Sequence, residues 1–238
     1  MTSGQHTRMS GGNSYRPLAW RGDCRSSQGK GVYAARHGRR GPGNDALGAR
    51  LADSAWLTRG DTVRCVIVWI NGTFGVGKTT TARLVQHAVP KVRFWDPEEV
   101  GVMLRTVVSD IVVRDFQDWS AWRDVVVATG HAVVNQTGQD LVAPQTVLQR
   151  QYMQQIADGF AAHSLKLFHV LLDAPTECLR ERILSDADKM ASPWRLEHVA
   201  DYEVARAWMR DEADLVIDTG THSAVEAAEQ VVTAAGLR

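Results

Sequence analysis

From about residue 63 to the C-terminus, short unbroken apolar runs alternate with longer stretches in which apolar positions recur every three or four residues. The unbroken runs are typical of parallel strands covered on both faces, and five strands are predicted at 64–70, 92–95, 140–144, 167–172 and 214–219. The periodic stretches predict amphipathic helices, among them 78–88, 97–107 and 194–209. Strands that alternate with helices predict an α/β fold, a three-layer α/β/α sandwich around a mostly parallel five-stranded sheet.

Residues 1–62 lack this pattern and hold 11 of the 20 glycines. Such a segment cannot bury enough apolar surface to offset its ordering entropy, so we predict a disordered leader rich in Gly and Arg, followed by one domain over 63–238. Residues 1–63 carry ten Lys or Arg against four Asp or Glu. A basic tail that contacts nucleic acid or anionic lipid is an alternative, as is an upstream stretch included by a misassigned start. Composition favours a plain leader or a misassigned start over a binding tail, and we expect no nucleic-acid partner.

The overall composition fits a soluble globular protein. The 238 residues are 44% hydrophobic and carry no net charge, which allows a core of ordinary size. Three cysteines (Cys24, Cys65 and Cys178) form no close pair, so neither a disulfide framework nor a zinc site is indicated. No apolar run reaches the length of a membrane span, and no secretory signal is evident. We therefore predict a cytoplasmic protein without a transmembrane segment, whose oligomeric state the sequence leaves open.

The strongest motif is Gly72-Thr73-Phe74-Gly75-Val76-Gly77-Lys78-Thr79, which follows the first strand and opens a helix. In this context it is a P-loop: the glycines let backbone N–H groups converge on a phosphate at the helix N-terminus. Lys78 would reach the β- and γ-phosphates, and the Thr79 hydroxyl would bind Mg²⁺. ATP and Mg²⁺ are the predicted cofactors. The predicted nucleotide-binding residues are Gly72, Thr73, Phe74, Gly75, Val76, Gly77, Lys78, Thr79 and Thr80.

Asp96 directly follows the second strand, at the edge of the sheet where open α/β proteins bind ligands. It can also cap the next helix, with Pro97 at the first helical position and Glu99 completing a capping box. The two roles are compatible, so Asp96 is both a candidate cap and a candidate catalytic or substrate-binding carboxylate.

A segment dense in aromatic, amide and charged groups spans residues 114–123. Such aromatic residues more often belong to a core than to a ligand site, but together with the polar groups they also suit a polar, ring-bearing substrate. The predicted substrate-binding residues are Asp96, Phe116, Gln117, Trp122 and Arg123.

Two further features concern the phosphates. Asp173 follows the fourth strand and would either bind magnesium through water or, as we favour, cap the next helix. Residues 185–203 begin with a polar stretch that is interrupted by Pro193, and we predict a mobile lid there that brings a guanidinium onto the phosphates.

From about Val66 onward the chain resembles the tunicamycin-resistance ATP-binding proteins, a bacterial group of small P-loop kinase-like NTPases. The lead Trp69-Ile70-Asn71-Gly72 and the segment Asp115-Phe116-Gln117 are more specific than the P-loop alone. The remaining similarity lies in Val68, the rest of the P-loop, Asp96-Pro97-Glu98, Gly101, Leu104-Arg105, Trp122-Arg123 and, more weakly, Trp194.

The resemblance implies an ATP-binding protein that protects a bacterium against a nucleoside antibiotic by phosphorylating it or by binding it when ATP is loaded. By likeness to small-molecule kinases, Asp96 would accept the proton of the attacking hydroxyl, while Lys78 and lid-side arginines such as Arg182 neutralise the transferring phosphoryl group. We therefore expect a phosphotransferase. The alternatives are a sequestering protein without transfer and an NTPase regulator.

Overall fold

The computed structural model of the protein describes residues 65–186 and 193–238. The predicted leader, residues 1–62, and the centre of the predicted lid lie outside the described residues. The strands are β1 (Val66–Asn71), β2 (Arg93–Phe94), β3 (Leu141–Pro144), β4 (Lys166–Asp173) and β5 (Leu215–Asp218). The helices are α1 (Lys78–Ala88), α2 (Glu98–Val107), α3 (Ser120–Thr137), α4 (Arg150–Ala162), α5 (Thr176–Ser185), α6 (Pro193–Glu212) and α7 (Ala224–Ala234), with a 3₁₀ turn at Phe116–Asp118.

The described strands form one parallel sheet in the order β2-β3-β1-β4-β5. Every neighbouring pair is parallel, and β1 lies at the centre between β3 and β4. The predicted α/β class, the five strands and their parallel arrangement are therefore confirmed. Predicted and observed strand ends differ by up to two residues; β1, for example, begins at Val66 rather than at 64.

Side chains of β1 explain why the strand is apolar throughout. Val66, Val68 and Ile70 pack into the core layer that contains buried residues of α1, α5, α6 and α7. Ile67 and Trp69 pack into the opposite layer, with buried residues of α2, α3 and α4. Successive side chains of a strand point to opposite faces. Because helices cover both faces of this sheet, no position on β1 can be polar until Asn71, where the strand ends.

Asp140 lies at the end of the sheet opposite the P-loop. Its Oδ1 accepts a hydrogen bond of 2.8 Å from the backbone N–H of Val66, which joins the start of β3 to the start of β1. The carboxyl ends of β1, β2 and β3 lie at the other edge, where the P-loop, Asp96 and Gln145 follow them. The topology thus brings three loops to one edge, and it places Asp140 away from them.

Asp173 does not cap the next helix as predicted, since the N-cap position of α5 is Pro175 and has no side-chain cap. The buried carboxylate of Asp173 accepts hydrogen bonds from Tyr202 Oη at 2.6 Å and from Arg206 Nη2 at 2.7 Å, and it also pairs with Arg210. Burial would raise the pKa of Asp173, but these three partners outweigh burial and hold the pKa below its usual value. With its oxygens occupied by α6, this side chain anchors α6 to β4.

Two helix ends have residues that suit their positions. Gly138 follows α3 with a φ of 63°, in the left-handed region that glycine adopts easily. Ser223 caps α7 in a capping box with Glu226. Within the described ranges, no helix is both long enough and apolar enough to cross a membrane.

Candidate active site

Gly72 begins the P-loop at a position where no other residue fits. Its φ is 136°, and a Cβ there would lie 2.5 Å from the carbonyl oxygen of Leu172 and 2.9 Å from Cγ1 of Val76. The preceding Asn71 is fully buried, and its Oδ1 accepts hydrogen bonds from the N–H groups of Gly72 and Val147, both at 2.9 Å. The first turn of the loop is therefore fixed to the β3–α4 connection.

Lys78 lies across the loop at the start of α1. Its Nζ donates a 2.9 Å hydrogen bond to the Thr73 carbonyl oxygen and lies 5.5 Å from the ring centre of Phe74. Thr79 and Thr80 follow it on the first turn of α1 and are exposed. This arrangement is that of a phosphate-binding loop: a helix N-terminus, converging backbone amides and a lysine at one point.

One cleft of about 410 Å³ opens above the P-loop at the carboxyl edge of the sheet. It brings together groups that are far apart in sequence. The loop contributes its glycines and Lys78, and the other lining residues come from the ends of β2 and β3, the 3₁₀ turn, α5 and the start of α6. Its lining is Phe74, Gly75, Gly77, Lys78, Thr79, Thr80, Asp96, Glu98, Asp115, Phe116, Gln117, Pro144, Gln145, Thr146, Arg182, Asp186, Trp194, Arg195 and His198.

Asp96 lies in this cleft as the sequence predicted, and it contacts the start of α2, although the N-cap position is Pro97 and the predicted capping box with Glu99 is not formed. Its Oδ1 accepts a hydrogen bond from the Glu98 N–H at 3.0 Å at the start of α2. Trp122 stabilises the turn between β2 and α2, because its Nε1 donates a hydrogen bond of 3.1 Å to the Pro97 carbonyl oxygen. For Asp96, contact with the start of α2 and a place in the cleft are therefore geometrically compatible.

Trp122 and Arg123 do not line the cleft. Trp122 is fully buried in the core, where its ring contacts Phe116 with ring centres 5.2 Å apart. The Arg123 guanidinium donates to the Gln117 carbonyl oxygen and to Gln155 Oε1. Both side chains support the segment that carries Phe116 and Gln117 instead of contacting a ligand in the cleft.

Phe116 and Gln117, by contrast, reach the cleft from the 3₁₀ turn. Gly101 on α2 makes room for the Phe116 ring, since a Cβ at Gly101 would lie 2.7 Å from Phe116 Cγ. The turn itself is fixed by a capping box in which Asp115 accepts from the Gln117 N–H and Asp118 accepts from the Asp115 N–H.

Two arginines stand beside the P-loop. Arg182 on α5 donates to the Thr219 carbonyl oxygen at 2.7 Å and approaches the Gly75 carbonyl oxygen at 3.5 Å. Arg195 at the start of α6 pairs with Asp186 at 3.3 Å, and within the described part of the chain its buried Nε has no hydrogen-bond partner. Together with Lys78 they place three positive side chains around one cleft.

His198 connects α6 to the loop and to the 3₁₀ turn. Its Nδ1 donates to the Trp194 carbonyl oxygen at 2.8 Å, and its own carbonyl oxygen accepts from Thr73 Oγ1 at 3.2 Å. Its Nε2 lies 3.9 Å from Oδ2 of Asp115. The Asp115 carboxylate raises the pKa of His198; burial opposes this shift without reversing it, and the bond to Trp194 adds to it.

This contact predicts a pH-dependent stability. A raised folded-state pKa means that the contribution of His198 is complete below about pH 6.5 and is lost as the pH rises through the folded-state value. We expect His198→Gln to destabilise the protein by about 1 kcal/mol more at pH 6 than at pH 9, measured by urea unfolding. Asp115→Asn should reduce this pH dependence, and an equal loss at both pH values for His198→Gln would contradict the assignment.

The donors in the cleft fit a magnesium ion that is carried by a nucleotide. Thr79 offers a hydroxyl beside the loop, and Asp96 and Asp115 line the same space. Among residues 65–186 and 193–238, no group of three or more His, Cys, Asp or Glu side chains is arranged to hold a metal ion. An ion held by phosphate oxygens, water and Thr79 needs no such group.

Sequence reasoning missed several residues of the cleft. Thr146 binds the loop directly, donating from Oγ1 to the Gly72 carbonyl oxygen at 2.8 Å. Its position just after β3 gave a signal, since that edge of the sheet carries the site. His198 gave none, because a histidine on a long helix has no recognisable motif.

Residues 67–202 match the family model described as AAA domain. No curated protein matches the chain. Among solved structures, the Deinococcus radiodurans tunicamycin resistance protein is 24% identical with a TM-score of 0.60, over 73% of this chain and 97% of that one.

Two kinases have the same fold. A sugar kinase from Janibacter sp. HTCC2649 is 20% identical with a TM-score of 0.56, over 73% of this chain and 95% of its own. The Mycobacterium tuberculosis APS kinase, solved with AMPPNP and APS, is 19% identical with a TM-score of 0.50, over 73% and 98%. The similarity suggested by the sequence motifs thus extends to a P-loop kinase-like fold.

The matched segment is more than half of the 238 residues, and it contains the P-loop, Asp96, the 3₁₀ turn and the first part of α6. It therefore includes the elements that form most of the cleft, and on this basis the chain belongs to the AAA domain family.

Proposed function

We propose that this protein binds ATP with Mg²⁺ and transfers the γ-phosphoryl group to a hydroxyl of a small molecule. One observation carries the proposal: a single cleft is lined by Lys78, Thr79, Asp96 and Arg182, which come from three separate parts of the chain. We place the reaction in the cytoplasm, an assignment that the free thiols of Cys65 and Cys178 support.

The P-loop would hold the nucleotide. Backbone N–H groups between Gly72 and Thr79 cradle the phosphates, and Lys78 exchanges its bond to the Thr73 carbonyl oxygen for the β- and γ-phosphate oxygens. Thr79 would hold Mg²⁺, which would neutralise charge on the phosphates. Phosphoryl transfer demands little covalent chemistry from the protein, so positioning and charge neutralisation account for most of the rate.

The acceptor would enter between Asp96 and the 3₁₀ turn, with Phe116 and Gln117 as contacts. Its hydroxyl proton passes to the Asp96 carboxylate as its oxygen attacks the γ-phosphorus. The bond from that phosphorus to the β–γ bridging oxygen breaks, and ADP leaves. Arg182 and Arg195 stand beside the loop to neutralise the transferring group.

A nucleoside-type antibiotic such as tunicamycin is our proposed acceptor. The resemblance in the Asp115-Phe116-Gln117 segment supports this choice, as does the fold shared with the D. radiodurans tunicamycin resistance protein. The sugar kinase with the same fold supports the broader class, a hydroxylated small molecule.

Sequestration of the drug without transfer is the second candidate. It is favoured by the hydrogen bond that Asp96 Oδ1 accepts from the Glu98 N–H, since this bond engages one carboxylate oxygen in holding the start of α2. A protein that binds drug and ATP together would use the same cleft.

The experiment that separates the two candidates incubates the protein with Mg-ATP and tunicamycin and measures the mass of the recovered drug. We expect a gain of one phosphoryl group and a loss of about 10²- to 10⁴-fold in rate for Asp96→Asn. The amide oxygen of Asn can still accept from Glu98, so the fold should persist. Asp110→Asn, on the exposed α2–α3 connection, is the control and should keep full activity. Drug that binds but gains no mass would favour sequestration.

A further inference from the structure

A second cavity of about 350 Å³ adjoins the cleft at the carboxyl edge of the sheet. It lies among the 3₁₀ turn, the β3–α4 connection and α6. Four residues, Asp115, Gln117, Thr146 and His198, line both spaces. A ligand that reaches past this shared wall would therefore occupy both spaces at once.

One wall of the second cavity is apolar and fixed. Trp208 is held by a 3.2 Å hydrogen bond from its Nε1 to the Leu148 carbonyl oxygen, and Ala205 is buried beside it. Val204 lies at the exposed rim. Aromatic and aliphatic surfaces of this kind pack against the apolar face of a ring, and polar groups then fix its orientation.

The charges around the second cavity nearly cancel. Arg114 pairs with Asp201 at 2.6 Å, and Arg150 pairs with Glu212. His198 faces Asp115, as described above.

Asp118 is the remaining lining carboxylate, and its partners are neutral. It accepts from Tyr152 Oη at 3.1 Å and from the Asp115 N–H at 3.2 Å. Burial is the largest cause that raises the pKa of Tyr152, and the hydrogen bond to Asp118 raises it further, so the phenol stays neutral. The cavity is therefore rich in acceptors and carries a small negative surplus, which favours hydroxyl or ammonium groups and disfavours an anion.

We propose that the second cavity is a subsite for a second hydroxylated ring of the acceptor. The acceptor would then be a two-ring molecule: one ring presents its hydroxyl to the P-loop cleft, and the other, neutral or cationic, packs on Trp208 with its polar groups toward Asp118. This inference rests on the proposed function for the first ring, and it adds the size and charge of the second.

Calorimetry with saturating AMPPNP tests the subsite without requiring transfer. The probes are two matched pairs, cellobiose with glucose and neamine with 2-deoxystreptamine, and the acidic disaccharide cellobiouronic acid. We expect each two-ring probe to bind at least about tenfold more tightly than its one-ring partner. Cellobiouronic acid should bind more weakly than cellobiose.

Two variants locate the binding. Val204→Trp narrows the rim and should weaken the two-ring probes about tenfold while one-ring binding changes less than about twofold; Val204→Thr, of similar size, should change neither. Asp118→Asn should weaken neamine more than cellobiose, because the variant removes the negative charge that attracts an ammonium group and also replaces one acceptor oxygen with an N–H donor.

The outcomes separate this inference from the proposed function. Absence of any two-ring advantage, or an equal loss of one-ring and two-ring binding in Val204→Trp, would overturn the subsite even if phosphoryl transfer is found. A two-ring advantage that Val204→Trp removes would support the subsite even if tunicamycin gains no phosphate.

Discussion

Replacing Lys78 with alanine should lower the rate of phosphoryl transfer by about 10³-fold. Lys78 lines the cleft at the start of α1, and its Nζ already lies within the loop at 2.9 Å from the Thr73 carbonyl oxygen. The same ammonium group would contact the β- and γ-phosphates and neutralise charge that develops on them. Alanine removes that charge while the backbone amides of the loop stay in place.

The measurement should separate binding from transfer. We expect the affinity for ATP to fall less than kcat, because the backbone amides and the helix N-terminus still hold the phosphates. Lys91→Ala, at an exposed position beyond α1, is the matched control and should leave both unchanged. Full transfer activity in Lys78→Ala, with the acceptor still gaining phosphate, would refute the proposed role of the loop.

Asp173→Asn should cost about 3 kcal/mol of folding free energy. The carboxylate is buried, and it satisfies Tyr202 together with Arg206 and Arg210. These contacts also raise the pKa of Arg206, and the largest cause is the hydrogen bond that Arg206 donates to Asp173. The Asn amide carries no charge to balance the guanidinium groups of Arg206 and Arg210. Its own N–H groups would also point at side chains that donate hydrogen bonds. Removing one partner of a buried ion pair costs more folding free energy than the intact pair contributes, because the remaining charge is left without its partner.

Thermal unfolding at pH 7, where Asp173 is ionised, is the appropriate measurement. A loss of about 3 kcal/mol lowers the midpoint by about 6 to 12 °C for a domain of this size. Glu203→Gln is the matched control, since Glu203 pairs with the same Arg206 at 3.2 Å but on the surface, and it should cost less than about 1 kcal/mol. Similar losses for the two variants would show that burial does not strengthen the Asp173 contacts.

The Asp173 contacts bear on function through α6. The helix carries Trp194, Arg195 and His198 to the cleft, and Asp173 fixes its later turns to the end of β4. The ring of Trp194 lies 5.0 Å from that of Phe74 on the P-loop. A helix that is less firmly anchored would position these groups less well, so transfer should decline in Asp173→Asn even below its unfolding temperature.

Local sequence was sufficient to predict those elements whose structure depends mainly on contiguous residues. The P-loop needs a strand, glycines and a helix start in direct succession, and α1 begins and ends where it was predicted, at Lys78 and Ala88. An apolar run marked the central strand β1 most clearly, because helices cover both of its faces. The edge strand β2 is short and includes the exposed Arg93.

Sequence reasoning failed where two distant segments compete for one side chain. Trp122 and Arg123 looked like ligand contacts because polar and aromatic groups surround them in sequence. In the structure, the indole N–H of Trp122 donates a hydrogen bond to the Pro97 carbonyl oxygen in the β2–α2 turn. The guanidinium of Arg123 donates a hydrogen bond to Gln155 Oε1. Asp173 looked like a helix cap, but tyrosine and arginine side chains about 30 residues away occupy its oxygens.

The sequence by itself determined the fold class, the position of the phosphate-binding loop and the placement of Asp96 at the ligand-binding edge, since each follows from periodicity or from contiguous residues. The tertiary structure decided which groups share the cleft and brought Asp115, Thr146 and His198 to it. The physical reason is that side-chain partners are chosen by packing among helices, and no local pattern records which helix will lie nearest.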